Sequence, residues 1–203
     1  MIAALILAGG NGSRLGGVDK AFLDLNGHPL ITHLLNRLKR QVKKIAISAN
    51  GDTRRFDPLN LEVLTDGPLL GVGPLAGIAR GLEWADQQMA ESLITVPVDT
   101  PFIPPDLIER LTPAPTVAVF GGRQHHLVAH WQISARSSLV HFLQIGAPYK
   151  VRDFLRVCGA LQISFDGPVD PFLNINTPDD LESARARLEM EFRDRSGTNA
   201  KPM

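Results

Sequence analysis

The sequence predicts an α/β fold built on a mainly parallel sheet. Residues 2–8 form a continuous apolar run that ends in glycines, as a strand buried on both faces of a parallel sheet does. Apolar residues with helical spacing follow within residues 30–38. Strand-like and helix-like segments then alternate through the first half of the chain, which is the pattern of α/β proteins.

The remaining elements of the first half follow from the same two patterns, which are short apolar runs for strands and helical spacing of apolar residues for helices. We expect strands at residues 44–49, 61–65 and 93–98, a helix at 75–89, and a further helix that begins at Pro105. Proline is favoured in the first turn of a helix, because the missing N–H has no partner there in any case.

The second half of the chain has a different pattern. Residues 116–120 and 127–133 read as two strands, and residues 121–126 join them either as a hairpin or as an antiparallel edge of the sheet. The later predicted elements are helices at 136–145 and 151–157, a strand at 161–165 and a helix at 178–192. We expect residues 1–192 to form one domain and residues 193–203 to be a flexible polar tail.

Composition excludes several classes of protein. The 203 residues are 44% hydrophobic and 21% charged, and the 21 basic residues balance the 21 acidic ones, so a general nucleic-acid binder is not expected. One cysteine, Cys158, excludes a disulfide scaffold and a cysteine-rich zinc site. Residues 2–8 are too short to span a membrane, and no basic segment precedes them as in a secretory signal. We therefore expect a cytoplasmic protein without a membrane partner.

The glycine-rich loop after the first strand is the strongest candidate for ligand binding. Ligands of open α/β sheets bind at the carboxyl ends of the strands, and glycines such as Gly9, Gly10 and Gly12 let backbone N–H groups approach a phosphate. Arg14 and Lys20 add two cations that can grip phosphate oxygens.

Three other interpretations of this loop have to be considered. A dinucleotide fingerprint requires a third glycine where the chain has Leu15 and an acidic residue about 20 positions further on, so it matches poorly. A Walker A loop requires Gly-Lys-Ser/Thr, which does not occur in the loop. A plain glycine-rich turn remains open, although it would not require the two cations.

Asp99 ends another apolar strand and lies between Pro97 and Pro101. Carboxylate oxygens suit Mg²⁺, which commonly takes one or two protein carboxylates together with substrate phosphates. The alternative is a turn or cap role before the helix at Pro105.

Two further segments place polar side chains at the same predicted edge. Asp66 follows a strand and can accept from a hydroxyl or a base N–H, or else serve only in a helix-start turn. In the segment 172–178, alternation puts Asn174 and Asn176 on one face, and Thr177 is suited to cap the next helix.

In this order, these four segments resemble the molybdenum cofactor guanylyltransferases, a family of nucleotidyltransferases with a Rossmann-like sheet that has helices on both faces. The resemblance runs from Leu7 to about Leu188 and rests on Leu-Ala-Gly-Gly, the Arg14 to Lys20 segment, Asp-Thr-Pro-Phe-Ile-Pro-Pro and Phe-x-Asn-x-Asn-Thr-Pro. One departure is Ser48, where some members carry asparagine; its hydroxyl has a shorter reach toward a base.

The resemblance implies a GTP-binding half at the N-terminal side and a molybdopterin-binding half at the C-terminal side. The implied GTP site comprises Leu7, Ala8, Gly9, Gly10, Gly12, Arg14, Lys20, Ser48, Asp66, Gly73 and Asp99. Within that set Arg14, Lys20 and Asp99 are the implied catalytic residues, with Asp99 as the ligand of Mg²⁺. Molybdopterin or Mo-molybdopterin is the second implied substrate, and a molybdenum insertion protein and acceptor molybdoenzymes or their chaperones are further implied partners.

The second ligand requires a second basic surface. Asn174, Asn176, Lys150 and Arg152 are the predicted molybdopterin contacts, with Arg123, His125, His126, His130 and Arg156 as further candidates. A solvated face is the alternative for each single cation.

The implied reaction is attack of the molybdopterin phosphate on the α-phosphorus of GTP, with release of pyrophosphate. A phosphate monoester is mostly dianionic at neutral pH, since its second pKa is about 6, so no general base is required. Three rival functions stay open: a cytidylyltransferase for the same cofactor, which would tend to carry Leu-Ala-Ala-Gly; another small-phosphate nucleotidyltransferase; and a non-catalytic molybdopterin carrier.

Overall fold

The computed structural model describes residues 1–9, 19–146 and 149–197, with side chains up to residue 193. Within these residues seven strands form one sheet in the order β5-β4-β1-β6-β8-β7-β9. The strands of this sheet are β1 (Ile2–Leu7), β4 (Lys44–Ser48), β5 (Glu62–Leu64), β6 (Ser92–Pro97), β7 (Thr116–Phe120), β8 (Arg123–Gln132) and β9 (Leu161–Phe165). A separate hairpin, which the sequence analysis did not predict, consists of β2 (Asp24–Leu25) and β3 (His28–Pro29).

The helices are α1 (Leu30–Leu38), α2 (Pro74–Gln87), α3 (Leu107–Arg110), α4 (Ala135–Ile145), α5 (Val151–Val157) and α6 (Pro178–Gly197). The helix predicted from Pro105 is only the single turn α3, and α6 continues beyond its predicted end at residue 192, into the segment predicted to be a tail. Residues 198–203 lie outside the described residues.

Helices cover both faces of the sheet, which confirms the predicted fold class. On one face α1 and α3 pack with Ile6, Ile47 and Val96. On the other face α2, α4 and α5 pack with Leu5 and Leu93. Helix α6 packs mainly elsewhere, against the β2-β3 hairpin and Phe102.

The first strand, β1, lies inside the sheet. Strands β4 and β5 extend the sheet on one side of β1, and the later strands, from β6 onward, extend it on the other side. Strand β1 pairs in parallel with β4 on one side and with β6 on the other. This junction of β1 and β6 is therefore the topological switch point, where α/β sheets leave a crevice beyond the strand ends. No described helix is both long and apolar enough to cross a membrane.

Strand β8 alone runs against its neighbours, and it lies inside the sheet rather than at the predicted antiparallel edge. It forms the predicted hairpin with β7 through a tight turn at Gly121 and Gly122, both of which have positive φ. In the register of this pair Val117 faces Ala129 while Ala118 faces His125, so residues 126–128 form a bulge in β8. The pairing of β8 with β6 likewise ends at Ala129. The last residues of β6 are therefore not paired with β8.

Two of the histidines proposed as basic contacts for the second ligand lie elsewhere. His130 is buried in the sheet, where its Nδ1 donates to the Leu111 carbonyl at 2.9 Å and its Nε2 lies 2.7 Å from Ser92 Oγ. A carbonyl oxygen only accepts, so Nδ1 carries the proton of the neutral ring and Nε2 accepts from the serine. His125 is buried against Phe172 and lies 3.2 Å from Asp170. The expectation that these two rings face a ligand is wrong, because both are held by packing in the interior.

We expect Gly81→Ala to destabilise the fold. A Cβ at this position of α2 would lie 2.5 Å from Leu5 Cδ2 and 3.0 Å from Leu93 Cδ2, and both leucines are fully buried. Overpacking of this kind costs about 1–3 kcal/mol, which should outweigh the gain of up to about 1 kcal/mol in helix propensity. Urea unfolding of this variant and of Gln87→Ala, at an exposed position of the same helix, measures the difference. A variant more stable than the wild type would show that the two leucines yield.

We expect stability to fall as pH drops below the ordinary pKa of histidine. Burial lowers the pKa of His130, so the unfolded chain binds this proton more readily than the folded one. The contribution is complete above about pH 6.5 and is lost progressively at lower pH. Unfolding free energies at pH 7 and pH 5 should show a weaker pH dependence in His130→Gln than in the wild type. His141→Gln, at an exposed position, controls for removal of a histidine. An identical slope in all three proteins would contradict the prediction.

Candidate active site

A cavity of about 610 Å³ lies beyond the carboxyl ends of the parallel strands at the switch point. The predicted residues that line it are Leu7, Ala8, Gly9, Lys20, Ser48, Asp66, Gly73, Asp99 and Asn174. The other predicted members of the loop, Gly10, Gly12 and Arg14, lie outside the described residues. Residues that the sequence analysis did not place in the site also line the cavity: Asp19, Asn50, Arg55, Leu70 and Leu127 are among them.

Backbone hydrogen bonds continue past the ends of the strands and hold the floor of this cavity. Ala8 N donates to Ser48 O at 2.8 Å, and Val98 N donates to Leu7 O at 3.0 Å. The residues that follow β1, β4 and β6 are thus extensions of the sheet, so the side chains beyond them start from fixed positions.

Asp99 lies at the centre of a polar cluster. Its carboxylate accepts from Lys20 Nζ through Oδ2 at 2.8 Å and from Asn174 Nδ2 through Oδ1 at 2.7 Å. The Asp99 side chain is 13% exposed and that of Lys20 is 17% exposed, so the ion pair is largely shielded from water. The carboxylate is therefore engaged by side chains that converge from distant parts of the chain, which favours a site role over a local turn or cap.

Asn176 completes this cluster from the extended segment before α6. Its Oδ1 accepts from Lys20 Nζ at 2.5 Å, and Ile175 N donates to the Asp99 carbonyl at 3.0 Å. Ile175 is buried, so Asn174 and Asn176 share the opposite face, as alternation predicted. The two amides, predicted as molybdopterin contacts, therefore adjoin Asp99 and Lys20 respectively.

A capping arrangement holds this asparagine segment on α6. Asp180 N donates to Thr177 Oγ1 at 3.1 Å, and Asp180 Oδ2 accepts from the N–H groups of Asn176 and Thr177, each at 2.9 Å. The N-cap role predicted for Thr177 is confirmed. The backbone hydrogen bond from Asn176 is the largest cause that lowers the pKa of Asp180, and the bonds with Thr177 lower it further.

A second polar pair lies at the ends of β4 and β5. Asn50 Nδ2 donates to Asp66 Oδ2 at 2.7 Å, and its Oδ1 accepts from Asp66 N at 3.0 Å. Ser48 is buried beneath α2, where a Cβ on Gly77 would lie 2.3 Å from its hydroxyl, so the glycine permits this close approach. Asn50 was missed as a site residue, although its position two residues after a buried strand is the signal that singled out Asp66 and Asp99.

Arg55 is the other residue that sequence reasoning missed. It lies in a 3-10 segment, Thr53–Leu59, and donates through Nε to Asp19 Oδ2 at 2.6 Å. It also donates through Nη2 to Asn50 O at 3.1 Å and through Nη1 to Asp52 O. An arginine several residues beyond a strand end carries no sequence signal of its own, because only the turn brings it back to the cavity.

The predicted second basic surface is only partly assembled. Lys150 and Arg152 are not among the described residues that line the cavity. Arg152 instead pairs with Asp153, as does Arg156. Burial lowers the pKa of His126, and the nearby charges of Arg152, Arg156 and Arg123 lower it further. These cations therefore gather around the β8 bulge, whose Leu127 reaches the cavity.

The charge of the described lining bears on what the cavity can bind. It contains three carboxylates, Asp19, Asp66 and Asp99, against two cations, Lys20 and Arg55. A polyanion would need additional positive charge there, from the glycine-rich loop or from a metal ion.

The donor chemistry around Asp99 fits Mg²⁺. The described residues contain no group of three or more His, Cys, Asp or Glu that could hold a metal ion. Mg²⁺ does not require one, since it is commonly bound by one or two carboxylates plus substrate phosphates and water. Each Asp99 oxygen accepts one of the two side-chain hydrogen bonds described above, so each keeps a lone pair for a hard cation.

Comparison with known proteins identifies the family. The family model of the MobA-like NTP transferase domain matches residues 4–161. A molybdenum cofactor guanylyltransferase of Acidiphilium cryptum is 47% identical over 185 residues, which cover 91% of this chain and 94% of that protein. One of Cereibacter sphaeroides is 44% identical over 191 residues, covering 92% and 97% respectively.

A solved structure supports the fold. The molybdopterin-guanine dinucleotide biosynthesis protein A of Archaeoglobus fulgidus superimposes with a TM-score of 0.75 at 24% identity, covering 94% of this chain and all of that one. At this level of identity the likeness bears on the fold alone.

Proposed function

This chain belongs to the family of MobA-like NTP transferase domains, and we propose that it transfers GMP from GTP to the phosphate of molybdopterin, releasing pyrophosphate. The observation that carries the proposal is the Lys20–Asp99 ion pair, joined by both asparagines, at the switch-point cavity. The relatives named molybdenum cofactor guanylyltransferase support the choice of guanylyl group and acceptor.

The transfer needs positioning and charge neutralisation rather than proton abstraction. A phosphate oxygen of molybdopterin forms a bond to the α-phosphorus of GTP, while the bond between that phosphorus and the β-phosphate bridging oxygen breaks and its electron pair leaves with pyrophosphate. The attacking monoester is already largely dianionic at neutral pH. Lys20, which lines the cavity, and Arg14 are the cations proposed to bind the phosphates.

Asp99 would hold Mg²⁺ through its carboxylate oxygens. When bound, the metal ion would neutralise phosphate charge and favour in-line attack at the α-phosphorus. Lys20 donates to the same carboxylate, and its ammonium would bring positive charge to the phosphates beside it.

The base would lie at the other end of the cavity. Guanine presents N–H donors at N1 and N2, and the Asp66 carboxylate retains acceptor capacity beyond its bond from Asn50. Ser48, at the end of β4, also lines the cavity. With Lys20 marking the phosphate end, GTP would extend across the ends of β4, β1 and β6.

Molybdopterin would approach from the β8 side. Asn174, Asn176, Lys150 and Arg152 are its proposed contacts. The cations near the β8 bulge, which are Arg123, Arg152 and Arg156, support this direction. The pairing of β8 with β6 also ends at this bulge, close to the end of β6 that leads to Asp99.

The proposal is tested first by nucleotide choice. We expect GTP to bind at least tenfold more tightly than CTP or ATP in the presence of Mg²⁺, because the Asp66 end of the cavity offers acceptors for two guanine N–H groups. Isothermal titration with the three nucleotides, followed by pyrophosphate release with molybdopterin, measures both steps. Equal affinity for CTP would contradict the guanylyl assignment, and GTP binding without any pyrophosphate release would indicate a carrier.

We expect Asp99→Asn to retain the fold and to lower pyrophosphate release by about 10²-fold or more. The amide is isosteric and keeps an acceptor oxygen, and Lys20 retains its hydrogen bond to Asn176, so the fold should survive loss of the shielded ion pair with reduced stability. Thermal unfolding, Mn²⁺ binding in the presence of GTP and pyrophosphate release are measured on one sample. Asp106→Asn, at an exposed position before α3, is the matched control. A stable Asp99→Asn protein with normal turnover at low Mg²⁺ would exclude Asp99 as the metal ligand.

A further inference from the structure

Arg55 makes contacts that connect separate parts of the nucleotide site. Three of its nitrogens donate to three different partners, which are the Asp19 carboxylate and the carbonyls of Asn50 and Asp52. Its guanidinium carbon also lies 4.5 Å from the centroid of the fully buried Phe56 ring. Because the group is held on its edges and on a face, it has one well-defined orientation.

One of these contacts leads to the phosphate end of the cavity. Asp19 accepts from Arg55 with Oδ2 and from Ala21 N with Oδ1, at 3.0 Å. Through the second bond Asp19 caps the 3-10 turn Lys20–Phe22. Arg55 therefore holds the residue that fixes where Lys20 leaves the glycine-rich loop.

The contact with Asn50 leads to the other end of the cavity. Arg55 binds the backbone carbonyl of Asn50, whose side chain is paired twice with Asp66. A continuous set of hydrogen bonds thus runs from the turn of Lys20 through Asp19, Arg55 and Asn50 to Asp66.

We propose that Arg55 is a positioning residue that sets the distance between the phosphate-binding and base-binding ends of the nucleotide site. This inference rests on the proposed nucleotidyl transfer but does not depend on which base is used. A planar fork with donors in fixed directions is required, since a lysine ammonium at this place could not reach three partners in one geometry. This arrangement should raise the affinity for the nucleotide, because a preorganised site does not lose entropy by ordering both of its ends when the nucleotide binds.

The test compares Arg55→Ala and Arg55→Lys with Arg54→Ala. Arg54 is a matched control, since it is the neighbouring cation, its side chain is 83% exposed, and it pairs with the Asp52 side chain. We expect KM and Kd for the nucleotide to rise about tenfold in both Arg55 variants, the size of one lost charge-assisted hydrogen bond, with kcat changed less than about threefold. Arg54→Ala should match the wild type in both constants.

A cycle with Asp19→Asn separates positioning from general stability. If Arg55 acts through Asp19, the double variant should lose little more affinity than either single variant. Full additivity of the two losses in affinity would overturn the inference, as would wild-type KM in Arg55→Ala or recovery of KM in Arg55→Lys. If the wild type proves to prefer CTP, the guanylyl proposal fails, while the same comparison with CTP still tests Arg55.

Discussion

The ion pair between Lys20 and Asp99 is the contact on which the geometry of the site depends. It joins the exit of the glycine-rich loop to the end of β6, and the Asn174–Asn176 segment closes over both through amide hydrogen bonds. A carboxylate at this depth would pay a large desolvation cost without a cation or donors around it. The Lys20 ammonium and the Asn174 amide therefore both donate to this carboxylate, and Asn176 accepts from the same ammonium, so all four side chains meet at the end of β6.

The parallel sheet makes this convergence rigid. Its strands end at one edge, and main-chain bonds beyond β1 and β6 extend the ladder up to the polar residues. The two ends of the cavity, at Asp66 beyond β5 and at Asp99 beyond β6, are built on different strands, so their separation depends on the sheet twist and on the links across it. Asp19, Arg55 and Asn50 provide such a link on the side away from β6. Fixed spacing suits a ligand whose base and phosphates are joined by a short covalent linker.

The antiparallel strand β8 forms the wall of the cavity that lies next to β6. A parallel neighbour to β6 would continue the sheet, whereas β8 leaves β6 at Ala129 and bulges over residues 126–128. The bulge exposes Leu127 to the cavity and places His126 among arginines. The arginines near this bulge, Arg123, Arg152 and Arg156, therefore lie on the β8 side of the site, whereas Asp66 lies beyond β5.

By itself the sequence determined the fold class, most of the element positions and the strand-end residues of the site. These features are local: apolar periodicity reports burial, and a polar residue just after a buried strand must lie at the sheet edge. Asp66 and Asp99 followed from that rule, and Asn50 could have, whereas Asn174 and Asn176 followed from alternation along the extended segment before α6. The tertiary structure alone decided that the two asparagines share a cluster with Lys20, that His125 and His130 are packed inside, and that Arg55 reaches back to Asp19. Such contacts join residues up to 156 positions apart, as Lys20 and Asn176 are. They depend on strand order, on register and on the bulge in β8, which arise from packing of the whole chain and leave no periodic trace in the sequence.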